Sequence, residues 1–414
     1  MLRKLLFRHR RAQQLLIVLV TVYLMAWQVL RWAPIGIWNR FEIRTAGDPY
    51  AEMYAVDRGY QRAETNEDRD EDRLLGQTTD PDDKPLKTIL FWTSFYENPD
   101  FYFGFGQQPF LTNDCPVSNC QTIRDKDKLN ESNAVLFHGP RIEEFEPKPD
   151  HRPPGQVWVL FQTEPHYYPS VAYLPQYGGI FNYTMASKRE ADAFIAYGWV
   201  LPSQYGKKIR KDVVVDPRLK PKSVVWIVSH CDTHSRREWY VEELAKHIEV
   251  DVYGACGTLS CPIGDPCLER FEMEYKFYLA LENSYCRDYV TEKMYRTMTY
   301  EIVPIVFGGA NYTLDAPPHS VINILDYPHP RDLAAYLKYL SDNVTAYDEY
   351  FEWKRHYKIQ HFRHRIFGQS FCKLCEDLNN PDFRYRNYSD IATWWLEDFC
   401  DADIIPRIRR QYGW

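Results

Sequence analysis

The sequence predicts an α/β fold in which an N-terminal transmembrane helix precedes two folded domains. Short apolar runs recur between residues 87 and 325 and alternate with segments of helical spacing, a pattern typical of parallel sheets covered by helices. Apolar residues make up 45% of the 414 positions and aromatic residues 16%. This composition can fill sizeable cores and argues against a largely disordered chain.

The N-terminal segment predicts a membrane anchor over residues 12–32. No charged residue occurs between Ala12 and Leu30, and a helix of that length just crosses a bilayer core. Basic residues precede it, which keeps residues 1–11 in the cytosol and sends the remainder into a secretory lumen. A cleaved signal peptide is the alternative, but its apolar stretch is usually shorter and is followed by small residues, whereas Trp32 and Trp38 follow here.

Residues 33–86 predict a lumenal stem. The part between 64 and 83 is dense in Asp and Glu and almost without apolar side chains, so it cannot bury enough surface to fold. Asp68-Arg-Asp70 in this stem and Asp401-Ala-Asp403 near the C-terminus match a short pattern that in some enzymes holds a metal-bound nucleotide. We interpret both matches as accidental and predict no metal site.

Charge disfavours one large class of function. The chain has 50 Lys and Arg against 57 Asp and Glu, and several of the basic residues belong to the short N-terminal tail. Proteins that bind nucleic acid generally present a basic surface. We therefore expect no nucleic-acid partner.

Two features agree with a lumenal body. Asn-x-Ser/Thr sequons, which accept N-linked glycans, occur at Asn130, Asn182, Asn311, Asn343 and Asn387. All ten cysteines lie beyond the apolar N-terminal run, and an even number in an oxidising compartment predicts disulfides.

Short sequence separations suggest local disulfides. We expect Cys372 to pair with Cys375 and Cys115 with Cys120, and one further pair within the group Cys256, Cys261 and Cys267. The Cys372-Lys-Leu-Cys375 spacing is also that of half a zinc site, but the chain contains no second Cys-x-x-Cys.

The folded body begins near Lys87. Strands are predicted over 88–93, 134–137, 157–161, 193–197, 224–228, 248–252, 302–306 and 321–325, and helices over 239–247, 271–281 and 331–340. Lys, Arg and Pro are frequent in 207–222, which predicts a linker. The predicted domains are therefore 87–206 and 223–368, followed by a Cys-containing C-terminal segment, 369–414.

Candidate binding chemistry concentrates in residues 275–309. An apolar run ends at Glu282-Asn283, and Thr291-Glu292-Lys293 opens a helix after a polar turn. Ligands of α/β sheets bind where strands end and helices begin, so Lys293 could hold a pyrophosphate and Glu282 could accept bonds from ribose hydroxyls. The glycine-rich dinucleotide motif and the Walker motif are absent from the sequence, which disfavours those common sites. An ordinary strand–loop–helix with surface charges is the alternative.

This segment closely resembles the signature of the α1,3/α1,4-fucosyltransferase family, glycosyltransferase family 10. The similarity covers Tyr275-Lys-Phe-Tyr-Leu-Ala-Leu-Glu-Asn-Ser284, Asp288-Tyr-Val-Thr-Glu-Lys293 and Val303-Pro-Ile-Val-Phe-Gly308. It extends through 248–254, 317–320 and 347–353, and in all it spans about residues 87–400. So many ordered matches are far more specific than any single short motif.

The resemblance implies a GT-B fold, in which two Rossmann-like domains face each other, the first on the acceptor side and the second binding GDP-fucose. It implies a Golgi α1,3-fucosyltransferase, a single-pass type II membrane protein with a lumenal catalytic domain. Fucose would pass from GDP-β-L-fucose to a GlcNAc of protein- or lipid-linked glycans, with inversion. No cofactor would be required, and a divalent cation would at most increase the transfer activity without being essential. A catalytically inactive glycan- or nucleotide-binding relative is the alternative.

The resemblance also implies roles for residues of the signature. Lys293 would pair with the pyrophosphate and stabilise the charge on the departing GDP. Glu292 would lie next to the fucose or next to the ribose of the GDP. Asn283 and Tyr289 would lie against the nucleotide sugar, and Glu282 would hydrogen-bond the ribose.

Further donor contacts are expected before the signature. Arg237, at the start of a predicted helix over 237–244, would clamp the diphosphate with its planar guanidinium. Arg236 is the alternative in the neighbouring register. Tyr253 and Gly254 would shape the guanine pocket.

An inverting transfer needs a base for the acceptor hydroxyl. The apolar strand at 157–161 is followed by Glu164-Pro165, where the family commonly has Glu-Ser-Pro. We assign Glu164 as this general base, with His166 and Glu292 as competing candidates. A strand-terminal carboxylate that merely faces water is the non-functional interpretation.

The sequence departs from the family pattern at His230, Leu281 and Val321 and in the stretch 296–298. These departures keep an inactive relative in view. The joint presence of Glu164, Arg237, Glu292 and Lys293 favours the enzyme, because a protein that only binds would not need all four.

Overall fold

The computed structural model describes residues 85–96, 98–139, 149–165, 174–203, 215–261, 267–361, 367–396 and 400–414. The predicted cytosolic tail and anchor, almost all of the stem, the first half of the linker and the candidate base His166 lie outside these residues. Within the described ranges, no helix is long and apolar enough to cross a bilayer.

The first sheet is parallel and has six strands. They are β1 (Lys87–Phe91), β2 (Cys120–Ile123), β3 (Ala134–His138), β4 (Val157–Gln162), β5 (Tyr183–Ala186) and β6 (Ala193–Phe194). Their order across the sheet is β2-β1-β3-β4-β5-β6. A short helix, α1 (Gln108–Thr112), and a 3-10 turn at Lys126–Glu131 connect its first strands.

The second sheet is also parallel and has five strands. After β7 (Trp199–Pro202) come β8 (Lys222–Ile227), β9 (Val250–Tyr253), β10 (Tyr275–Leu281), β11 (Val303–Phe307) and β12 (Ile322–Asn323). The order is β12-β11-β10-β8-β9. The direction of strand succession therefore reverses between β8 and β10, and such a switch point is where α/β sheets bind ligands.

Helices follow the strands of the second sheet. They are α2 (Arg237–Leu244), α3 (Cys267–Glu274), α4 (Glu292–Met298), α5 (Tyr312–Asp315), α6 (Pro330–Asp342) and α7 (Val344–Asp348), with 3-10 turns at Pro217–Leu219, Ile324–Asp326 and Glu349–Arg355. Beyond them lie β13 (Tyr357–Gln360), α8 (Gly368–Asn379), α9 (Ile391–Leu396) and α10 (Ile404–Tyr412). Strand β13 pairs antiparallel with β7. The predicted α/β class with parallel sheets is confirmed.

Both faces of each sheet are covered, which explains why the strands are continuous apolar runs. All six residues of β4 are buried. Phe161 belongs to the same core cluster as Phe371 of α8, whereas Leu160 belongs to the cluster of Trp395 on α9. A strand buried on both sides needs apolar residues at every position rather than at alternate ones.

The same effect misled one helix prediction. The spacing of residues 271–281 predicts a helix, but α3 ends at Glu274 and the next seven residues form β10. All seven are buried, because β10 is the central strand of the second sheet. Periodicity alone cannot separate a fully buried strand from a buried helix.

The predicted local disulfides at Cys372–Cys375 and Cys115–Cys120 are wrong. The observed pairs are Cys115–Cys372, Cys120–Cys375, Cys231–Cys256, Cys261–Cys267 and Cys286–Cys400. Residues three apart share one face of a helix, so α8 presents Cys372 and Cys375 together to the first sheet. The expected pair within the Cys256–Cys267 group is confirmed as Cys261–Cys267.

The C-terminal segment packs on both sheets. Helices α8 and α9 complete the two cores of the first sheet. Ile405 of α10 enters the core of the second sheet, and the ring of Trp414 meets Tyr240 of α2 edge-on at 5.6 Å. The C-terminal segment therefore contributes side chains to the cores of both sheets.

Candidate active site

Glu164 lies where β4 ends, and two phenols from different parts of the chain hold its carboxylate. Tyr197, which follows β6, donates to Oε1 at 3.0 Å. Tyr289, which lies between β10 and α4, donates to Oε2 at 3.1 Å. Burial raises the pKa of Glu164, although the charge of Lys293 and the two phenol hydrogen bonds act in the opposite direction. The result is a carboxylate that binds a proton more readily than an exposed one.

Close packing around Gly198 lets Tyr197 reach this carboxylate. A β-carbon at Gly198 would collide with the ring of Tyr295 on α4. The ring of Tyr197 meets that of Tyr289 edge-on, with centroids 6.1 Å apart. A glycine is needed here because the segment between β6 and β7 runs directly against a helix of the second sheet.

Lys293 occupies the first turn of α4. Thr291 caps this helix through its side chain, and its Oγ1 also accepts from Nζ of Lys293 at 2.8 Å. Burial would lower the pKa of Lys293, but the adjacent carboxylates of Glu282 and Glu292 raise it above its usual value. A permanently charged lysine beside a helix N-terminus is suited to an anionic ligand such as a diphosphate.

Glu282 positions this lysine. Its side chain is 1% exposed, and Oε2 accepts from Nζ of Lys293 at 3.0 Å. Its Oε1 accepts from the backbone N–H of Thr291 at 2.8 Å. Burial raises the pKa of Glu282, and Lys293 opposes that rise. In the described structure both carboxylate oxygens are therefore engaged by the start of α4.

Glu292 is the first residue of α4 and points outward. Its carboxylate lies 3.6 Å from Nζ of Lys293 and is half-exposed. Partial burial opposes ionisation, but Lys293 and a backbone N–H outweigh it, and the pKa of Glu292 lies below its usual value. Glu292 therefore accepts a proton less readily than Glu164, which favours Glu164 as the base.

Arg237 begins α2 at the switch point between β8 and β10. Its side chain is 4% exposed, and its guanidinium donates to the carbonyl oxygen of Leu281, the last residue of β10. Burial lowers the pKa of Arg237, while Glu282 acts to raise it. Its charge also acts on Lys293, so two cations lie at the same end of the sheet.

Two buried polar atoms at this switch point lack a partner among the described residues. They are Nε of Arg237 and Oδ1 of Asn283. Buried polar atoms are normally hydrogen-bonded, and an unsatisfied donor and acceptor at the end of β10 are what a polar ligand would satisfy. Arg236, in contrast, adopts a left-handed backbone conformation and pairs with Asp232 near the surface.

Tyr253 is the last residue of β9, and Gly254 follows it. The ring of Tyr253 packs on Phe271, with centroids 4.7 Å apart, and its hydroxyl lies 3.3 Å from that of Tyr275. These contacts place Tyr253 in the core beneath α3. Gly254 turns with φ +94°, and a β-carbon there would lie 2.5 Å from the carbonyl oxygen of Val228.

The sequence did not single out Tyr197 or Arg189 as site residues. Tyr197 holds Glu164, and Arg189 contacts the loop that carries Tyr289. Both lie outside the signature, and no spacing in the sequence relates them to these partners, which are 33 and 99 positions away. The Gly after Tyr197 is the single local signal, because glycine often marks a close approach of two segments.

The two weak Asp-x-Asp matches can be compared with the described structure where it reaches them. Asp401 pairs with Arg407, and Asp403 with Arg410, at the surface. Among the residues for which the structure gives positions, no group of three or more metal-ligating side chains occurs. Asp68 and Asp70 lie outside those residues.

Known proteins similar to this chain are enzymes of sugar transfer. It is 34% identical over 358 residues to alpha-(1,3)-fucosyltransferase C of Drosophila melanogaster, covering 78% of this chain and 80% of that protein. It is 34% identical over 325 residues to a 3-galactosyl-N-acetylglucosaminide 4-alpha-L-fucosyltransferase of Bos taurus, covering 75% and 82%. A crystal structure of an alpha1,3-fucosyltransferase with GDP-fucose has 16% identity and a TM-score of 0.48, covering 75% of this chain and 95% of that one.

Two family models match most of the described chain. Residues 84–198 match the N-terminal fucosyltransferase model, and residues 217–394 match the C-terminal model of glycosyltransferase family 10 (fucosyltransferase). The first match covers the sheet that carries Glu164, and the second covers the sheet that carries Arg237 and Lys293. The chain belongs to glycosyltransferase family 10, the fucosyltransferases.

Proposed function

We propose that the chain is an α1,3-fucosyltransferase that moves fucose from GDP-β-L-fucose to a GlcNAc hydroxyl of a protein- or lipid-linked glycan, with inversion. One observation carries this proposal. The carboxylate of Glu164 is held by the phenols of Tyr197 and Tyr289, and the loop of Tyr289 leads directly into the helix whose first turn carries Lys293. The names of the similar proteins, which are α1,3- and α1,4-fucosyltransferases, support the same reaction.

Glu164 acts as the general base. The acceptor hydroxyl must lose its proton as its oxygen attacks the anomeric carbon from the face opposite GDP. The phenols of Tyr197 and Tyr289 fix the orientation of the carboxylate. A base held in one rotamer loses little entropy when the acceptor arrives.

Lys293 and Arg237 stabilise the departing GDP. Negative charge on the diphosphate increases as the bond to fucose breaks, so cations at fixed positions favour the transition state over the ground state. Glu282 and Thr291 fix the lysine before the donor binds. With two such cations in place, we propose that no metal is required and that divalent cations at most stimulate.

We also propose a GT-B arrangement and a Golgi location. The first sheet would belong to an acceptor-side domain over 87–206 and the second to a donor domain over 223–368. Residues 207–222 would link the two domains, and the segment 369–414 would pack against both. Residues 12–32 would anchor a type II protein in the Golgi membrane. Five disulfides among the described residues support an oxidising lumen.

A transfer assay with the full-length protein in detergent tests the activity. The donor is GDP-fucose, and the acceptors are an N-glycan core, an N-acetyllactosamine and a LacdiNAc glycan on an array. We expect GDP release and fucose on the 3-hydroxyl of GlcNAc with at least one of them. GDP binding by calorimetry without transfer to any acceptor would favour the inactive relative. Failure to bind GDP would reject the transferase and leave only a glycan-binding relative.

A further inference from the structure

Arg189 is one of the residues that connect the loop carrying Tyr289 to the first sheet. Its backbone N–H donates to Oδ2 of Asp288 at 3.0 Å. Its guanidinium pairs with Asp315 of α5, and its Nε lies 3.8 Å from Oδ1 of Asp288. Arg189 follows β5 of the first sheet, whereas both aspartates belong to segments of the second.

Asp288 and Asp315 need a cation at this place. Asp315 is 5% exposed, and burial raises its pKa to about 6, while Arg189 and Tyr295 act to lower it and Asp288 to raise it further. Asp288 has φ +64°, a left-handed conformation that costs energy for a residue other than glycine. The guanidinium of Arg189 hydrogen-bonds Asp315 and lies at ion-pair distance from Asp288, so one planar cation neutralises both carboxylates.

Other contacts fix the remainder of the loop to the C-terminal segment and to the end of β11. Cys286 forms a disulfide with Cys400. A β-carbon at Gly309 would collide with the carbonyl group of Cys286, and one at Gly308 would lie 3.2 Å from the carbonyl oxygen of Tyr289. The loop therefore rests directly on the end of β11, and the contacts at Asp288 set the backbone that immediately precedes Tyr289.

We propose that Arg189 is a positioning residue for the general base, because it fixes Asp288 and thereby directs the hydroxyl of Tyr289 to Glu164. The inference rests on the proposed function, since it takes Glu164 as the base. It assigns to Arg189 an effect on turnover that is transmitted through a single side chain, Tyr289.

A double-mutant cycle separates this role from a general structural one. Arg189→Ala and Tyr289→Phe should each lower kcat by about 10- to 100-fold, the scale of a small misplacement of a catalytic group. Calorimetric GDP affinity should stay within about threefold. The double variant should be no slower than the slower single variant, because both changes remove the same hydrogen bond to Glu164. Effects that multiply would overturn the proposal.

Two further variants test the chemistry of the contact. Arg189→Lys keeps the charge but cannot bridge two carboxylates, so kcat should fall to an intermediate value. If Arg189→Ala does not fold, this variant and its cycle with Tyr289→Phe decide alone. Arg287→Ala is the matched control, because Arg287 lies in the same loop and pairs with Glu190 at 3.4 Å, with both side chains about half-exposed. It should keep normal kcat.

Glu164→Gln, measured in parallel, distinguishes a wrong assignment of the general base from a wrong role for Arg189. If Glu164→Gln keeps normal turnover, the assignment of the base is wrong and the inference fails with it. If Glu164→Gln is inactive while Arg189→Ala and Arg189→Lys turn over like wild type, the base stands and the role of Arg189 is refuted.

Discussion

Titration of Glu164 should determine the acid side of the pH–rate profile. The base must be ionised to accept a proton, so kcat/KM should fall as pH decreases through its raised pKa. Tyr197→Phe removes a hydrogen bond that favours the carboxylate, so the acid limb should move to higher pH. Tyr412→Phe, an exposed tyrosine of α10, is the control and should leave the profile unchanged. A profile that is the same in Tyr197→Phe would contradict a role of this phenol at the base.

Lys293 has two effects that one substitution cannot separate. Lys293→Ala removes a cation from the donor site and also leaves Glu282 buried without its ion pair. The stability loss should be somewhat below the about 3–5 kcal/mol typical of breaking a fully buried pair, because Lys293 is 26% exposed. GDP affinity and turnover should both fall.

The double variant Lys293→Ala/Glu282→Gln resolves these effects. It should regain much of the melting temperature, because residue 282 no longer carries a buried charge without its ion-pair partner, yet it should still bind GDP weakly. Lys246→Ala, which breaks the exposed pair with Glu243, is the control and should change neither quantity. Recovered GDP affinity in the double variant would show that Lys293 acts only on the fold.

At the scale of the elements, the disulfides that join α8 to the first sheet should contribute measurably to the free energy of unfolding. Replacing both Cys120 and Cys375 by Ser should lower the free energy of unfolding by about 2–5 kcal/mol. Replacing Cys261 and Cys267, which close a loop of only six positions, should cost less. Non-reducing peptide mapping should find Cys115 linked to Cys372. Recovery of a Cys372–Cys375 peptide instead would contradict the position of α8.

Elements defined by local pattern were predicted from the sequence, and those defined by tertiary contact were not. The start of α2 at Arg237 agrees with the start implied by the family resemblance, and the opening of α4 after Thr291 agrees with prediction because a capping residue is a local signal. The strand at 275–281 was mistaken for a helix because a strand buried on both faces lacks the usual alternation of apolar and polar residues. The pairing of Cys115 with Cys372 spans 257 positions, and no local rule encodes such a contact.

The same division holds within the candidate site. Lys293 was found from its place at a helix start, where ligands bind. Glu164 and Arg237 were found because they match the family pattern at a strand end and at a helix start. Tyr197 and Arg189 were not, because their importance comes from what faces them across the fold. No periodicity or motif in the sequence links Tyr197 or Arg189 to the residues that they contact.

For the whole molecule, the sequons test the predicted lumenal orientation. Glycosidase treatment of protein from secretory cells should increase its mobility on a gel. Asn130 and Asn387 are exposed and should carry glycans. Asn182 should not, because its Oδ1 accepts from the backbone N–H of Trp158 at 2.7 Å between β4 and β5. Mass spectrometry of deglycosylated peptides gives the occupancy, and a glycan on Asn182 would contradict the packing at that edge of β4.

The connection of α8 to the first sheet has a consequence for biosynthesis. Cys120 leaves the ribosome 255 residues before its partner Cys375. At about 5–20 residues per second this delay is roughly 10–50 s. During that time α8 is not yet available to cover its face of the first sheet, and the thiols of Cys115 and Cys120 have no partner. A chain that stops before α8 would leave this face of the sheet uncovered and both thiols unpaired.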